Sequence, residues 1–417
     1  MRILVVNSDC IFTNTSANLC HQAYIHGLCD AGHQVEVLCS DSQFRQLDPS
    51  MKLPQEVQLH TYPGLSLYEK LSIRKYQKTV SANAAPPAAA KAGGEPEQKG
   101  PKAMLRHAVC WGKRQVLSLY GVHGVYATFV KKARKFRSDR PYDYVLSLST
   151  PVSSHLLAYH LIHDRHIQTK HWIQIWEDPW YSDAYGDSHK KKVFAEEQRL
   201  LSFADRVCYV SPLTLQNQKK LFPESADKMF WQPLPYYYKE DSRKQESAPA
   251  ETTHYGYFGD YIPIARNLEP FYQAAREMKI CVDICGSPCN LFPPTDTIHI
   301  HPRLPLQELR PIEDQTNVLI FLCNRKGGQI PGKIYQYSAT TKTVLFILDG
   351  TPEEQRVLRE YFEPLNRYVF CQNQKDDIIR AIRQIESGEL GAVQNQPLEC
   401  FNPVATIGHI LSDGQTA

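Results

Sequence analysis

The chain has 417 residues, of which 42% are hydrophobic and 22% are charged. This balance is typical of globular proteins and excludes a disordered or collagen-like chain, and the length predicts two or three domains. No apolar run approaches the ~18 residues of a membrane span, and Asn7, Ser8 and Asp9 interrupt what would be the apolar core of a signal peptide. The twelve cysteines form no CxxC pair, so we expect reduced, buried thiols in a cytoplasmic protein.

The net charge of +3 is distributed unevenly along the chain. Residues 70–137 contain fifteen lysines and arginines but only two acidic residues, Glu95 and Glu97, which gives this stretch a charge of +13 and leaves −10 for the rest. Such asymmetry predicts an anionic partner, either a membrane surface or a nucleic acid.

Short apolar strands alternate with helices through residues 1–238. Strands are predicted at Ile3–Val6, Val35–Cys39, Tyr144–Leu148, Trp172–Trp176, Arg206–Val210 and Met229–Trp231. Ser16 is predicted to cap a helix that ends near Cys29, and a second helix is predicted over residues 152–166. This order predicts a parallel sheet covered by helices, forming an N-terminal domain. Residues 81–100 are of low complexity and are interpreted as an insertion in this domain.

The same alternation starts again after residues 239–253, which contain no large apolar residue and are predicted to be a linker. Strands are predicted at Tyr255–Phe258, Ile280–Ile284, Ile298–Ile300, Val318–Leu322, Val344–Leu348 and Tyr368–Phe370. A second domain over residues 254–395 follows, and the tail, residues 396–417, could return to the first domain. The predicted fold class is therefore α/β with two doubly wound domains, and a ligand is expected in the cleft where the carboxyl ends of both sheets face each other.

Several common site motifs are missing. The first strand is not followed by GxGxxG, and the chain contains neither a GxxxxGK[ST] loop nor a DxD pair. Five histidines between His155 and His171 form a cluster, but no cysteine or carboxylate completes a set of ligands. We therefore expect no metal and no cofactor.

The segment from residue 317 to residue 349 carries the strongest functional signal. A strand ends near Cys323, a loop with Lys326, Gly327 and Gly328 follows, and a helix is predicted to start at Pro331-Gly332-Lys333. Free N–H groups at a helix start bind anions, and Lys333 adds a full positive charge there. Gln336, one turn further, could accept a hydrogen bond from a sugar hydroxyl. The alternative is a basic residue at an exposed helix start.

These segments together resemble the GT-B glycosyltransferases, particularly the family 4 type that builds bacterial surface polysaccharides. The resemblance spans nearly the whole chain. In the first half it rests on GHQVEVLCSD at 32–41 and on SLSTPVSSHLLA and WIQIWEDPWYSD within 143–183. In the second half it rests on YGYFGDYIPIARNLE at 255–269 and on PGKIYQYSATTKTVL at 331–345. It implies two Rossmann-like domains that face a central cleft, with the acceptor on the N-terminal side and a nucleotide-sugar bound by the C-terminal domain.

The resemblance also implies roles for individual residues. Arg266 and Lys333 match the basic pair that holds the donor diphosphate, Gly259 matches a glycine beside the phosphate, and Pro331 and Gly332 belong to the same donor-binding segment. Gln336 and Gly328 stand where the family commonly has two glutamates, so the E-x7-E signature is not met. Asp178 matches an acidic position that faces the cleft, and we group it with Arg266 and Lys333 as catalytic.

The family's chemistry retains the anomeric configuration and uses the leaving phosphate to assist deprotonation of the acceptor. Negative charge grows on that phosphate in the transition state, and preorganised cations can stabilise it in place of a metal. Arg266, Lys333 and the Gly332 amide are the groups available for this, so the reaction is expected to be independent of metal.

The basic stretch over residues 102–137 predicts an amphipathic helix. Val122, Val125, Phe129, Ala133 and Phe136 recur at helical spacing, whereas Lys131, Lys132, Arg134 and Lys135 lie largely off that stripe. This pattern is typical of helices that bind anionic membrane surfaces, where a lipid-linked acceptor would arrive. The alternative is a solvated face on a core helix. Nucleic acid is not expected, because no recognised binding motif accompanies the charge.

From the sequence we therefore predict a cytoplasmic glycosyltransferase that is peripheral on the inner face of the cytoplasmic membrane. It would transfer a sugar from a nucleotide-sugar, most simply a UDP-sugar, to a surface polysaccharide or a lipid-linked glycan. Two rivals remain open: a nucleotide-sugar epimerase, and a non-catalytic glycan-assembly protein with the same fold.

Overall fold

The computed structural model describes residues 1–43, 45–73, 120–183, 190–237 and 253–412. The low-complexity insertion at 81–100, residues 102–119 of the basic segment and residues 239–252 of the linker lie outside the described residues. Within the described ranges the strands form two sheets, one of seven and one of six strands, and every strand pair is parallel. This is the doubly wound α/β architecture that the sequence predicts.

The first sheet has the strand order β3-β2-β1-β4-β5-β6-β7. Its strands are β1 (Arg2–Asn7), β2 (Gln34–Ser40), β3 (Gln58–Tyr62), β4 (Tyr142–Ser149), β5 (Thr169–Trp176), β6 (Arg206–Tyr209) and β7 (Met229–Trp231). The accompanying helices are α1 (Ser16–Asp30), α2 (Ala127–Ala133), α3 (Ser153–His163), α4 (Lys190–Phe203) and α5 (Pro212–Leu221). Residues 67–73, which end one described range, are also helical and are called the 67–73 helix. Short 3-10 turns cover Gly124–Tyr126 and Pro223–Lys228.

The second sheet has the strand order β10-β9-β8-β11-β12-β13. Its strands are β8 (His254–Phe258), β9 (Cys281–Cys285), β10 (Ile298–His301), β11 (Val318–Leu322), β12 (Thr343–Leu348) and β13 (Tyr368–Gln372). The helices are α6 (Glu269–Met278), α7 (Leu306–Gln315), α8 (Lys333–Tyr337), α9 (Pro352–Phe362), α10 (Lys375–Glu386) and α11 (Pro403–Leu411), with 3-10 turns at Glu363–Leu365 and Glu399–Phe401.

All twelve predicted strands are present, and most of them are apolar runs buried on both faces of their sheet, whereas the edge strand β10 alternates isoleucine with partly exposed histidine. In β1, for example, Ile3, Leu4, Val5 and Val6 are completely buried. Strand β3 was not predicted. It lies at the edge of the first sheet, where Gln58, Leu59 and Thr61 are exposed, so its sequence lacks the apolar run of a central strand.

Helix α1 begins and ends close to the predicted positions. Its N-cap is Thr15 rather than Ser16, because the Thr15 side chain accepts a hydrogen bond from the Asn18 amide. The chain leaves the helix through Gly32, which has a positive φ of 77°. The Thr15 cap fixes the N-terminus of α1 at the carboxyl edge of the first sheet, just after β1.

The last helix, α11, follows the second sheet in sequence but packs against α1 of the first domain. A Cβ atom at Gly27 of α1 would lie 2.5 Å from the Pro403 carbonyl oxygen, so the two backbones touch. Tyr144 donates a hydrogen bond to the Leu411 carbonyl (3.1 Å), and Arg206 donates one to the Ile410 carbonyl (2.9 Å). The end of the chain therefore ties the two halves of the molecule together.

For residues 120–137, the described end of the basic segment, the structure favours the alternative of a solvated face on a core helix over an amphipathic membrane helix. In the described part, Phe129 and Ala133 of α2 and the following Phe136 are buried in the core of the first domain. The apolar stripe is therefore covered by protein and is not free to enter a bilayer. Lys131 and Lys135 are exposed, whereas Arg134 forms an ion pair with Asp164 at 2.6 Å. Among the helices in the described ranges, none is long and apolar enough to cross a membrane.

The contact between α1 and α11 predicts opposite effects for two helical glycines. Gly27→Ala should lower the free energy of unfolding by about 1–3 kcal/mol, because the new methyl group meets rigid backbone at Pro403. Gly408→Ala in α11 should raise it by up to about 1 kcal/mol, because a Cβ there meets no atom within 4 Å and alanine favours a helix. Urea unfolding followed by circular dichroism measures both; equal effects of the two substitutions would contradict the packing described here.

Candidate active site

A cavity of about 300 Å³ lies between the two domains, at the carboxyl ends of β8 and β9. Its volume is at the lower end of the range for small-molecule sites, and its position is the one that open parallel sheets use for ligands. All six predicted donor-binding residues line it: Gly259, Arg266, Pro331, Gly332, Lys333 and Gln336. The first domain contributes the start of α1, including Asn14, Ser16 and Cys20. The structure thus brings together residues that are up to 77 positions apart in the C-terminal domain.

Two glycine-containing loops form one wall of the cavity. Gly259 follows β8 and donates a hydrogen bond from its backbone to the Cys285 carbonyl at 2.9 Å. Gly286 follows β9 and packs so closely on the Gly259 backbone that a Cβ atom there would overlap the Gly259 carbonyl. A Cβ at Gly259 itself would stand 3.8 Å from an Arg266 nitrogen. The Gly259 position therefore leaves room for a ligand to approach both backbone and guanidinium.

The Arg266 guanidinium is held in place by neighbouring acceptors. Its Nε donates to Asn324 Oδ1 at 2.9 Å, and one terminal nitrogen donates to the Asp260 carbonyl at 3.1 Å. Asn324 in turn donates to the Gln329 carbonyl at 3.2 Å. Because these contacts fix the side chain before any ligand arrives, Arg266 is a preorganised cation in the sense that transition-state stabilisation requires.

Lys333 lies at the start of α8, where the sequence predicts it. Its Nζ stands 3.7 Å from Glu313 Oε1, and the Glu313 side chain is almost completely buried. The lysine therefore has a partner in the protein, although its side chain remains 31% exposed. Helix α8 is only five residues long, so its dipole is small and the charge of Lys333 is the main positive feature at this end.

The glycine loop that precedes the predicted anion site at the start of α8 is held by contacts with other protein groups. The Gly327 amide donates to the Glu354 carboxylate at 3.1 Å, so a protein carboxylate already occupies this position. Gly328 has φ +69°, and a Cβ there would lie 2.8 Å from Leu213 Cβ in the first domain. A glutamate would be strained and crowded at this position, which gives a physical reason for the missing family residue. Ser211 also donates to the Gly328 carbonyl at 2.7 Å and holds the loop against the first domain.

Gln336 is buried, and its side-chain oxygen accepts a hydrogen bond from the Tyr237 backbone amide at 3.1 Å. Tyr237 is the last described residue before the linker region. This oxygen therefore anchors the chain where it leaves the first domain. Its expected contact with a sugar hydroxyl stays a prediction, since an amide oxygen can accept two hydrogen bonds.

Asp178 does not line the cavity. Its carboxylate accepts a hydrogen bond from Gln329 at 2.7 Å and so links the two domains. Asp178 as a residue is exposed, but protein close to its carboxyl removes part of the surrounding bulk water. This desolvation, reinforced by the nearby charges of Glu177 and Asp183, raises the pKa of Asp178 to about 6.

The cavity also contains residues that sequence reasoning missed. Arg303 follows β10, lines the cavity and pairs with Asp260 at 3.3 Å, so it is a third cation near Arg266 and Lys333. Its only sequence signal was a basic residue just after a predicted strand, in HPRLP. Glu313, the partner of Lys333, could not be recognised, because it lies twenty residues away on a different helix.

Among the residues that the structure describes, no group of three or more histidine, cysteine or acidic side chains is arranged to hold a metal ion. The predicted histidine cluster is divided: His155 is buried and bonded to Ser147 at 2.7 Å, whereas His160 and His163 lie beside Asp164.

The fold can be compared with that of known proteins. No protein-family model and no curated protein sequence matches the chain. Among solved structures, it is similar to sucrose-phosphate synthase from Thermosynechococcus elongatus, with a TM-score of 0.58 and 12% identity over 97% of this chain and 93% of that one. It is also similar to a glycosyltransferase from Rickettsia africae, with a TM-score of 0.51 and 10% identity over 97% of this chain and 93% of that one. The predicted GT-B fold is thereby confirmed.

The raised pKa of Asp178 predicts a specific pH dependence of stability. The folded protein holds this proton more tightly than the unfolded chain does, so wild-type stability should fall relative to Asp178→Asn as pH rises from 3.8 to about 6. Urea unfolding of both proteins across that range measures the difference. Asp227→Asn, which changes an exposed aspartate on the same domain, is the control and should follow the wild type. A constant difference between wild type and Asp178→Asn would contradict the pKa assignment.

Proposed function

We propose that the protein is a retaining glycosyltransferase that moves a sugar from a nucleotide-sugar donor, a UDP-sugar, to a surface polysaccharide or lipid-linked glycan. The observation that carries this proposal is the cavity at the carboxyl ends of the second sheet, where Gly259, Arg266 and Lys333 converge. The two similar structures are named as a sucrose-phosphate synthase and a glycosyltransferase, which supports the same class of reaction.

The cavity has the electrostatics that a nucleoside diphosphate needs. Arg266, Arg303 and Lys333 bring three positive charges to its lining, and Asp260 is the one acidic residue among the lining residues of the described structure. Gly259 lacks a side chain beside Arg266, so a phosphate oxygen can approach the backbone and the guanidinium together. The apolar half, which includes Leu304, Leu306 and Leu309, is suited to the less polar part of the donor.

In the proposed reaction the bond between the anomeric carbon and the diphosphate breaks, and its electron pair leaves on the diphosphate. Arg266 and Lys333 stabilise the charge that develops there, so the reaction proceeds without a metal. The acceptor hydroxyl forms the new bond on the face that the diphosphate leaves, and its proton passes to the departing phosphate. This sequence retains the anomeric configuration and requires no side-chain nucleophile.

One specific observation favours a second candidate, a non-catalytic glycan-assembly protein. Both glutamate positions of the resembled family are changed, and the structure shows that Gly328 has no room for a side chain and that Gln336 is used to anchor Tyr237. Such a protein would bind a nucleoside diphosphate but would not turn over a donor. Donor turnover with a membrane extract therefore separates the two candidates.

Removing either cation should impair turnover strongly. Arg266→Ala and Lys333→Ala should each lower the rate of UDP release from a UDP-sugar by about 10²–10³, the scale for losing one preorganised charge donor. Arg356→Ala, which removes an exposed arginine on α9 outside the cavity, is the matched control and should retain the wild-type rate. Wild-type rates in both cavity variants would contradict the donor site.

We also propose that the enzyme works in the cytoplasm, on the inner face of the cytoplasmic membrane. Since the apolar side of α2 is covered by the core, attraction to lipid would be electrostatic. Lys131→Gln with Lys135→Gln should weaken binding to phosphatidylglycerol vesicles by about 2 kcal/mol, or about 1 kcal/mol for each cation near the surface. Lys132 is half-buried and Arg134 is paired with Asp164, so their removal should add less.

Co-sedimentation at low and high salt measures this membrane binding, which should weaken as salt screens the charges. The control is the double variant Lys219→Gln with Lys220→Gln. It removes the same amount of charge from two exposed lysines on α5, elsewhere on the same domain. Equal loss of binding in both double variants would show that net charge, rather than the α2 surface, determines binding.

A further inference from the structure

The loop that follows β8 ends in an exposed apolar tip. The backbone amides of Ala265 and Arg266 both donate to the Ile262 carbonyl, at 2.8 and 2.9 Å, so the loop makes a tight turn there. Ile262, Pro263 and Ile264 are all exposed in this turn, the two isoleucines by 51% and 65% of their surface. We call these three residues the 262–264 tip. Apolar surface of this kind gains free energy when a partner removes it from water.

The 262–264 tip stands on a firmly anchored base. Tyr261, which directly precedes it, is completely buried and stacks on Phe292 of the loop after β9, with 5.7 Å between the ring centroids. The Tyr261 amide also donates to the Ser287 carbonyl at 2.8 Å. Leu291, which precedes Phe292, is 40% exposed on this second loop. The buried anchor therefore holds the two isoleucines outside the core of the second domain.

Two exposed cations lie beside the 262–264 tip. Arg325, in the loop after β11, donates from its backbone to the Ala265 carbonyl and from its guanidinium to the Pro263 carbonyl, each at 2.9 Å. Arg325 and the following Lys326 are both exposed. Asp260, which precedes the tip by two positions, pairs with Arg303 at 3.3 Å, so its charge is already balanced there. The surface around the tip therefore combines positive charge with aliphatic side chains.

This combination fits the surface of an anionic bilayer. Cations beside such a membrane are attracted to the lipid phosphates, and aliphatic side chains gain free energy at the boundary of the acyl chains. The small size of the apolar surface also favours lipid over protein, because a stable protein interface uses about 20–30 residues on each side. The tip and Leu291 supply only four exposed residues, and a fluid bilayer requires no matching shape.

We propose that the 262–264 tip docks into the headgroup region of an anionic bilayer, with Arg325 and Lys326 at the lipid phosphates. The inference rests on the proposed function and deepens it, because it gives the second domain a membrane contact of its own, separate from the lysines of α2. Arg266 lines the donor cavity and belongs to the same turn as the tip. Docking of the tip therefore brings the donor cavity close to the bilayer surface, where a lipid-linked acceptor is held.

A tryptophan placed at the tip tests the contact directly. The full chain carrying Ile264→Trp is mixed with phosphatidylglycerol vesicles whose acyl chains are brominated, because bromine quenches a tryptophan that reaches the acyl chains. Its fluorescence should fall by more than that of the wild type, whose five tryptophans set the background. Leu47→Trp, at a leucine of the first domain that is 46% exposed, is the control and should match the wild type. No additional quenching in Ile264→Trp would overturn the proposal, whether or not Leu67→Trp on the 67–73 helix is quenched.

Salt separates the tip from the lysines of α2. At about 1 M salt the Debye length is about 3 Å, so the electrostatic part of binding is screened and the apolar part remains. Ile262→Ser with Ile264→Ser should weaken this remaining binding to phosphatidylglycerol vesicles about tenfold. Lys326→Gln should weaken binding at low salt about fivefold and leave binding at high salt unchanged.

The matched control is Leu47→Ser with Leu59→Ser, which removes two exposed leucines from the first domain and should leave binding at high salt unchanged. Wild-type binding that disappears at high salt, or a tip variant that still binds like the wild type, would overturn the docking surface. None of these measurements uses a sugar donor, so their outcome is independent of glycosyl transfer. A protein that docks through its tip but releases no UDP from any donor would contradict the proposed function alone.

Discussion

The parallel direction of every strand pair is the constraint on which the candidate site depends. In a parallel sheet all carboxyl ends lie at one edge, so the loops after β8, β9, β10 and β11 meet although they are far apart in sequence. The same rule places the loops after β1 and β2 at one edge of the first sheet. Because α11 packs on α1 and loop contacts such as Ser211 to Gly328 join the two domains, these edges lie on either side of one cleft.

The charges in this cleft are held by partners of different kinds. Arg266 is fixed by neutral oxygens of Asn324 and Asp260, so its full positive charge remains available to a ligand. Lys333 stands beside the buried carboxylate of Glu313, whose charge it partly balances. Within the proposed function we expect Arg266 to make the stronger contact with the diphosphate, whereas Lys333 also stabilises α7 against α8. A buried carboxylate is costly without a cation, so both roles favour a lysine at this position.

Much of the fold was predictable from the sequence because buried parallel strands are continuous apolar runs. The exposed edge strand β3 has no such run and was missed, and the apolar stripe through Phe129 and Phe136 was assigned to a membrane although it faces the core. Part of the cavity lining was also predictable, Lys333 from the helix start that it occupies and Gly259 and Arg266 from the resemblance to the GT-B glycosyltransferases. Their partners were not, since Glu313, Glu354 and Tyr237 approach only through tertiary packing. Sequence spacing on a single strand or helix indicates which residues share a face, but it does not indicate what covers that face.

The central claim is that the cavity between the domains binds a nucleotide-sugar and releases its sugar with retention. The most direct measurement is NMR of the product formed from a UDP-sugar and a membrane extract, read at the anomeric proton of the transferred sugar. The account predicts that UDP is released and that the new glycosidic bond has the anomeric configuration of the donor. An inverted linkage would contradict the retaining mechanism, and binding of UDP without any product would contradict catalysis itself.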